Sequence, residues 1–219
     1  MSEFVESPMD VPAWSTHPFS LSLKSESFTF KGILNHYRPP PATIFDPMSG
    51  TRRFYELLDG TGTLDGRQYD FVWGDLRPIP GATYRGSMTQ PPLRDGIADI
   101  GVYDPPFTDS SVISRNQEIH GADHLQRYVG TNDLAQLHSF HALANLTFER
   151  VIRRGGLLVI KLYDRHEDRV LHLEHSCVLQ FFPRFVLRDM IIYRVRKPLG
   201  IKLPYFGKFH AYFLVLERL

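Results

Sequence analysis

Seven short apolar runs, set apart by helical or polar stretches, constrain this chain more than any other feature. They cover residues 42–45, 69–75, 98–103, 157–162, 186–193 and 210–216, with a weaker one over 82–86. Each has the length and the β-branched or aromatic content of a strand. Helical periodicity falls between them, over 30–37, 52–58, 133–154 and 173–182. In the segment 133–154, Leu134, Leu137, Leu143, Leu146, Phe148 and Val151 roughly follow one face, Asp133 stands at the cap, and Gly155-Gly156 ends the helix. Strands that alternate with helices predict an α/β chain with a largely parallel, doubly wound sheet.

A chain of 219 residues fits one such domain, here expected over 18–219, with a loose proline-bearing arm over 1–17. Apolar content of 42% and charged content of 22% speak against a disordered or membrane class. The net charge of +1 neither requires nor excludes nucleic acid, so the location of charge matters more than the total. The one cysteine, Cys177, rules out a disulfide framework within the chain and is expected to be a small buried apolar residue. No basic and apolar leader opens the chain, and no apolar run has the length of a bilayer span. A cytoplasmic protein without a membrane partner is the expectation.

Three of the runs end in an acid: Asp46, Asp75 and Asp104. In open α/β sheets the carboxyl ends of the strands form the ligand-binding rim. Asp104 opens the stretch Asp104-Pro105-Pro106-Phe107. Prolines fix φ and remove two N–H donors, which leaves backbone carbonyls as free acceptors beside the aspartate. A rim of this kind suits an exocyclic amino group held by both its hydrogens. Asp-Pro-Pro is also a common turn, and Asp46 and Asp75 are also the residues that simply end strands.

Taken together, Ile44-Phe45-Asp46-Pro47-Met48-Ser49-Gly50, Asp104-Pro105-Pro106-Phe107, Gly155-Gly156-Leu157-Leu158-Val159-Ile160-Lys161 and His210-Ala211-Tyr212-Phe213-Leu214-Val215 resemble the class I S-adenosylmethionine-dependent methyltransferases. More narrowly, they are similar to the amino-directed DNA methylases that modify adenine N6 or cytosine N4, small phage and bacterial ones above all. The resemblance runs from about residue 42 to residue 219. It implies a Rossmann-like seven-stranded sheet with an antiparallel last strand, S-adenosylmethionine as cofactor, and DNA as partner.

The resemblance implies that Asp46, Pro47, Met48 and Gly50 hold the methionine end of the cofactor, with a glycine where a Cβ would crowd the ligand. It implies ribose contacts for Asp75, and adenine contacts for Ser87 and Met88. The family usually has a second glycine two residues after the first. Arg52 stands there instead, so the turn is expected to be wider or Arg52 to point away. Asp104, Pro105, Pro106 and Phe107 become the catalytic set. The Asp104 carboxylate and the Pro105 carbonyl each take one N–H of the target amine, and Phe107 stacks on a flipped base. Asp rather than Ser at position 104 leans toward adenine.

The polar stretch 108–132 follows this turn and carries Arg115 and Arg127 as nucleic-acid contacts; a solvated loop is the plainer reading. Residues 184–208 hold seven basic residues against Asp189, with Arg194, Arg196 and Lys197 as phosphate contacts, or else a solvated face. His138 and His141 have one-turn helical spacing. With no second cysteine and no Glu close by in sequence the set is under-ligated, so no metal is expected. The alternatives are an RNA methylase acting on guanine N2 or adenine N6, and a catalytically silent methylase-like module that binds nucleic acid.

Overall fold

The computed structural model describes residues 21–22, 25–50, 52–58, 63–64, 67–105, 134–167, 170–194 and 210–219. The arm 1–17, the stretch 108–132, Pro106, Phe107, Arg115, Arg127, Arg196 and Lys197 lie outside them.

The strands are β1 (Leu21–Ser22), β2 (Ala42–Asp46), β3 (Thr63–Leu64), β4 (Arg67–Asp75), β5 (Tyr84–Arg85), β6 (Ala98–Tyr103), β7 (Ile152–Leu162), β8 (Arg165–Glu167), β9 (Val170–His172), β10 (Phe185–Arg194) and β11 (His210–Arg218). Seven of them lie in the order β5-β4-β2-β6-β7-β11-β10. The first five are mutually parallel; β11 is antiparallel to β7 and to β10. This is the Rossmann-like arrangement expected from the alternating runs, with the last strand reversed. Two-residue β1 extends the β10 edge and β3 extends the β4 edge, while β8 and β9 form a separate hairpin.

Both faces of the sheet are covered. Helix α1 (Glu26–Tyr37) starts at Ser25, whose Oγ accepts the Phe28 N–H at 3.2 Å. It buries Phe30, Ile33 and Leu34, one helical stripe, against Ile44, Val102, Val159 and Phe213. Helix α2 (Leu134–Val151) buries Ala144, Phe148 and Val151 against Phe45, Tyr103, Ile160 and Leu214. Alternation along β7 divides the work, with Leu157 and Val159 facing one layer and Leu158, Ile160 and Leu162 the other.

Four helical segments differ from the sequence reading, the first being α1, which starts at Glu26 rather than at 30. Helix α2 stops at Val151 rather than Arg154, because Ile152 already pairs with Ala98; the next partners are Ile100 and Leu157. Residues 153–156 are thus extra length on β7. Gly155 takes φ +69°, and a Cβ on Gly156 would sit 2.9 Å from the Asp99 carbonyl oxygen, so the glycine pair shapes a bulge rather than ending a helix. Within 52–58 only a 3-10 turn forms, Arg53–Tyr55. Within 173–182 one α-turn, α3 (Glu174–Cys177), passes into a 3-10 turn, Val178–Phe181.

Candidate active site

Between β2 and β6 the strand order changes direction, since β4 lies on one side and β7 on the other. Such a reversal opens a crevice at the carboxyl ends of the two central strands. Asp46 ends β2, and Asp104 follows β6 directly. Asp75 ends the neighbouring β4, two residues beyond Trp73, the register partner of Asp46. The register Tyr103 with Ile160 sets Lys161 of β7 beside Asp104.

Asp46 is buried. Its Oδ1 accepts the Met48 N–H at 3.0 Å and its Oδ2 the Tyr55 hydroxyl at 2.9 Å. Burial pushes the Asp46 carboxyl up to about 7, against the pull of those two bonds. Buried Pro47 and half-buried Met48 lead into a turn in which the Ser49 N–H reaches the Gly74 carbonyl at 3.1 Å. The Gly50 N–H reaches Asp75 Oδ2 at 3.1 Å. Gly50 has φ +47°, and a Cβ there would meet nothing closer than 3.6 Å. Within the protein itself the glycine therefore answers a left-handed backbone, not a shortage of room.

Arg52 takes the left-handed conformation too, at φ 58°. The residue in the place of the second glycine thus keeps a glycine-like backbone. Its side chain turns aside, with the guanidinium 4.7 Å from the centroid of the Trp73 ring and Nη2 donating to the Pro80 carbonyl at 3.0 Å.

Asp75 is already occupied. Its Oδ1 accepts the Arg77 backbone N–H at 2.9 Å and Arg77 Nε at 3.0 Å, and its Oδ2 accepts Arg77 Nη2 at 3.1 Å. Burial alone would raise its pKa; the Arg77 bonds and charge, with the Gly50 N–H, outweigh burial and hold it low. Two buried hydroxyls on the same rim have no hydrogen-bond partner, Ser49 Oγ and Tyr84 Oη. The Tyr84 ring fills the space above Gly74, where a Cβ would come within 2.3 Å of it. Ser87 is exposed and its Oγ lies 2.8 Å from Thr89 Oγ1. Met88 is packed in the core beside Phe45 and Val72, and its carbonyl accepts the Thr147 hydroxyl at 2.9 Å. Its side chain is a core element more than an open wall.

Asp104 keeps 35% of its side chain open, and Pro105 beside it is buried. Burial pushes the Asp104 carboxyl up to about 6; Lys161, with Nζ at 3.7 Å from Oδ2, works against that rise, while Glu26 adds to it. Lys161 is nearly buried and pairs with Glu26 of α1 as well. Burial alone would lower the Lys161 pKa, but Asp104, Tyr163 and Glu26 outweigh it and hold it raised. The sequence reading gave Lys161, Glu26, Tyr55, Tyr84 and Arg77 no role. For Lys161 a signal existed: it is the one charged residue inside an otherwise apolar run.

Other residues reach the same edge. The antiparallel register places Arg194 opposite His210 and Tyr212 opposite Leu162, so exposed Arg194 lies at the rim that carries Asp104. Two members of the basic segment are in ion pairs instead, Arg184 with Glu149 at 3.0 Å and Arg188 with Glu217 at 2.9 Å. Tyr212 donates to Asp164 Oδ2 at 3.2 Å and lies 2.9 Å from His210 Nε2, while His175 Nδ1 lies 2.7 Å from Asp164 Oδ1. The histidines of α2 are differently placed from the sequence reading. Glu174 and Cys177 of α3 stand beside His138 and His141, and Cys177 is half-buried in that polar group rather than in apolar packing. Among the described residues no helix is long and apolar enough to cross a membrane.

The fold is that of the S-adenosylmethionine-dependent methyltransferases. The chain is similar to a SAM-dependent methyltransferase from Methanosarcina mazei, at 12% identity and a TM-score of 0.51, over 85% of this chain and 97% of that one. It is similar to 1,6-didemethyltoxoflavin-N1-methyltransferase from Burkholderia thailandensis, solved with S-adenosylhomocysteine, at 13% identity and 0.51, over 89% and 78%. It is also similar to TrmN from Thermus thermophilus, at 16% identity and 0.51; there 88% of this chain matches 49% of that one, so it spans about half the length of TrmN. No protein-family model and no curated protein matches the sequence.

Proposed function

We propose that this protein is an S-adenosylmethionine-dependent methyltransferase acting on the exocyclic amino group of a DNA base, adenine N6 in the first place. The observation that carries the reading is the meeting of Asp46 and Asp104 at the point where the strand order reverses. Two orphaned hydroxyls, Ser49 Oγ and Tyr84 Oη, favour a polar ligand on the same rim, since buried hydroxyls are seldom left unpaired.

Asp46, the turn through Pro47, Met48 and Gly50, and Asp75 would hold the cofactor, with Ser87 at the edge of its base. When bound, the cofactor supplies a methyl group on an electrophilic sulfonium. Asp104 and the Pro105 carbonyl act on the other reactant. An exocyclic base nitrogen is a poor nucleophile because its lone pair is delocalised into the ring. Two acceptors, one for each N–H, favour a pyramidal nitrogen with an available lone pair. For this Asp104 must be ionised, and Lys161 favours the ionised form. On this reading Pro106 and Phe107 belong to the same catalytic set, with Phe107 to stack on the base. Arg115, Arg127, Arg194, Arg196 and Lys197 form the phosphate-contacting set.

The test is transfer of isotopically labelled methyl to duplex DNA, with nucleoside mass spectrometry of the product. N6-methyladenine is expected. Label only in cytosine N4, or only in transfer RNA, would replace the target while keeping the chemistry. One observation favours the silent module: Arg77 already saturates the acid assigned to the ribose. Calorimetry decides, and no heat of binding with S-adenosylmethionine would support that second reading.

A further inference from the structure

The strongest unexplained feature outside the candidate active site is Glu174. Its side chain is 1% exposed, and neither carboxylate oxygen accepts a hydrogen bond. The nearest nitrogens are His138 Nε2 at 3.5 Å and His141 Nε2 at 3.7 Å, beyond the 2.7–3.2 Å or so of a hydrogen bond. His141 Nε2 is buried and equally without a partner. Cys177 Sγ lies 3.5 Å from the same His138 Nε2. The ligand atoms of His138, Glu174 and Cys177 all lie within 4.8 Å of one another.

We propose that His138, Glu174 and Cys177 bind a divalent zinc-class cation, with His141 beside them. With metal–ligand bonds of about 2.0–2.3 Å, the corners of a tetrahedral zinc site are about 3.3–3.6 Å apart. The separations of 3.5 Å from His138 Nε2 to Glu174 Oε2 and to Cys177 Sγ match two edges of such a site. A buried carboxylate whose nearest nitrogens stand at 3.5 and 3.7 Å is costly, and one cation gives it a close partner. A donor set of one imidazole, one carboxylate and one thiolate, with a fourth position open, suits zinc. His141 stands behind the set, with its Nε2 3.7 Å from Glu174 Oε2 and its Nδ1 2.7 Å from the Tyr103 hydroxyl. His138 and Cys177 are partly open to solvent and provide the entry path. The site clasps α2 to α3. Through Tyr103 it also fixes the end of β6 one residue before Asp104. The inference does not depend on the methyltransferase reading.

The test uses the full chain without a polyhistidine tag. Metal is counted by plasma mass spectrometry after dialysis against a weak chelator, and the stripped protein is titrated with Co²⁺. We expect one zinc per chain, a sulfur-to-cobalt charge-transfer band in the near ultraviolet, and a melting temperature that falls on chelation. Glu174→Gln and His138→Ala should weaken zinc by more than about 100-fold, beyond the roughly 10–100-fold cost of losing a mere outer partner. Cys177→Ser should abolish the charge-transfer band; because Cys177 is half exposed, this variant is expected to fold. Wild-type protein with no bound zinc, no charge-transfer band and a melting temperature indifferent to chelator overturns the proposal. So does stoichiometric zinc that persists unchanged in Cys177→Ser.

Discussion

Lys161 Nζ and Asp104 Oδ2 stand 3.7 Å apart at the adjoining ends of β7 and β6. The pairing places a nearly buried cation behind the one aspartate of the lip that remains partly open. It favours the ionised carboxylate, which is the form that accepts an N–H. It also ties the lip to α1 through Glu26, so a residue of the helical layer contributes to the electrostatics of the rim.

Asp104→Asn should therefore lower transfer by about 10²–10³-fold, the usual cost of one hydrogen-bonding group aimed at a reacting centre. Binding of S-adenosylmethionine should be unchanged. The measurement pairs labelled-methyl transfer with calorimetry, and a variant with near-normal turnover would remove Asp104 from the mechanism.

Transfer by the wild type should rise as pH passes about 6 and then level, because the acceptor is the ionised Asp104. Lys161→Met removes the opposing charge and should move that rise to higher pH. The position of the rise separates a positioning role from loss of fold, since a merely destabilised enzyme loses amplitude and keeps its midpoint.

Stability should fall with pH over part of the acid range. Asp46 is raised from the ordinary carboxyl value of 3.8 to about 7 in the folded chain. Between those two values the folded state binds more protons than the unfolded one, so ionising Asp46 opposes folding. The contribution is fully present below about 4 and lost as pH rises through about 7. Urea unfolding of wild type and Asp46→Asn at pH 4.5 and pH 7.5 measures it. The variant should lack this downward slope, and parallel curves would contradict the assignment.

Gly50→Ala and Arg52→Gly should differ although both positions are left-handed. The alanine has room but meets the left-handed penalty of about 1–2 kcal/mol. Arg52→Gly relieves a penalty of that size, yet gives up the Trp73 contact, about 0.5–1 kcal/mol, and the Pro80 hydrogen bond, about 0.5–1.5 kcal/mol. Its net effect should be close to zero. Chemical denaturation reads both.

Arg77→Gln should tighten S-adenosylmethionine binding, because it removes the bidentate guanidinium from the carboxylate assigned to the ribose. A weaker or unchanged Kd from calorimetry would take Asp75 out of the cofactor site.

The strands were legible because their cause is local. Ala98–Tyr103 is mostly apolar and runs up to Asp104, and its pairing in the sheet falls within those same residues. The acids at strand ends were legible for the same reason: each follows the run that places it. Boundaries failed where a partner decided them, as at Ile152, which joins the sheet because Ala98 is beside it.

By itself the chain determined the order of its elements and the acids at three strand ends, all set by residues adjacent in sequence. Only the tertiary structure decided that Lys161 faces Asp104, that the Gly50 N–H reaches Asp75, and that Glu174 and Cys177 meet two histidines of α2 more than thirty positions earlier. The physical reason is that charge acts through space. Burial and the nearest opposite charge set what a carboxylate or an imidazole does, and both depend on which strands and helices pack together rather than on sequence spacing.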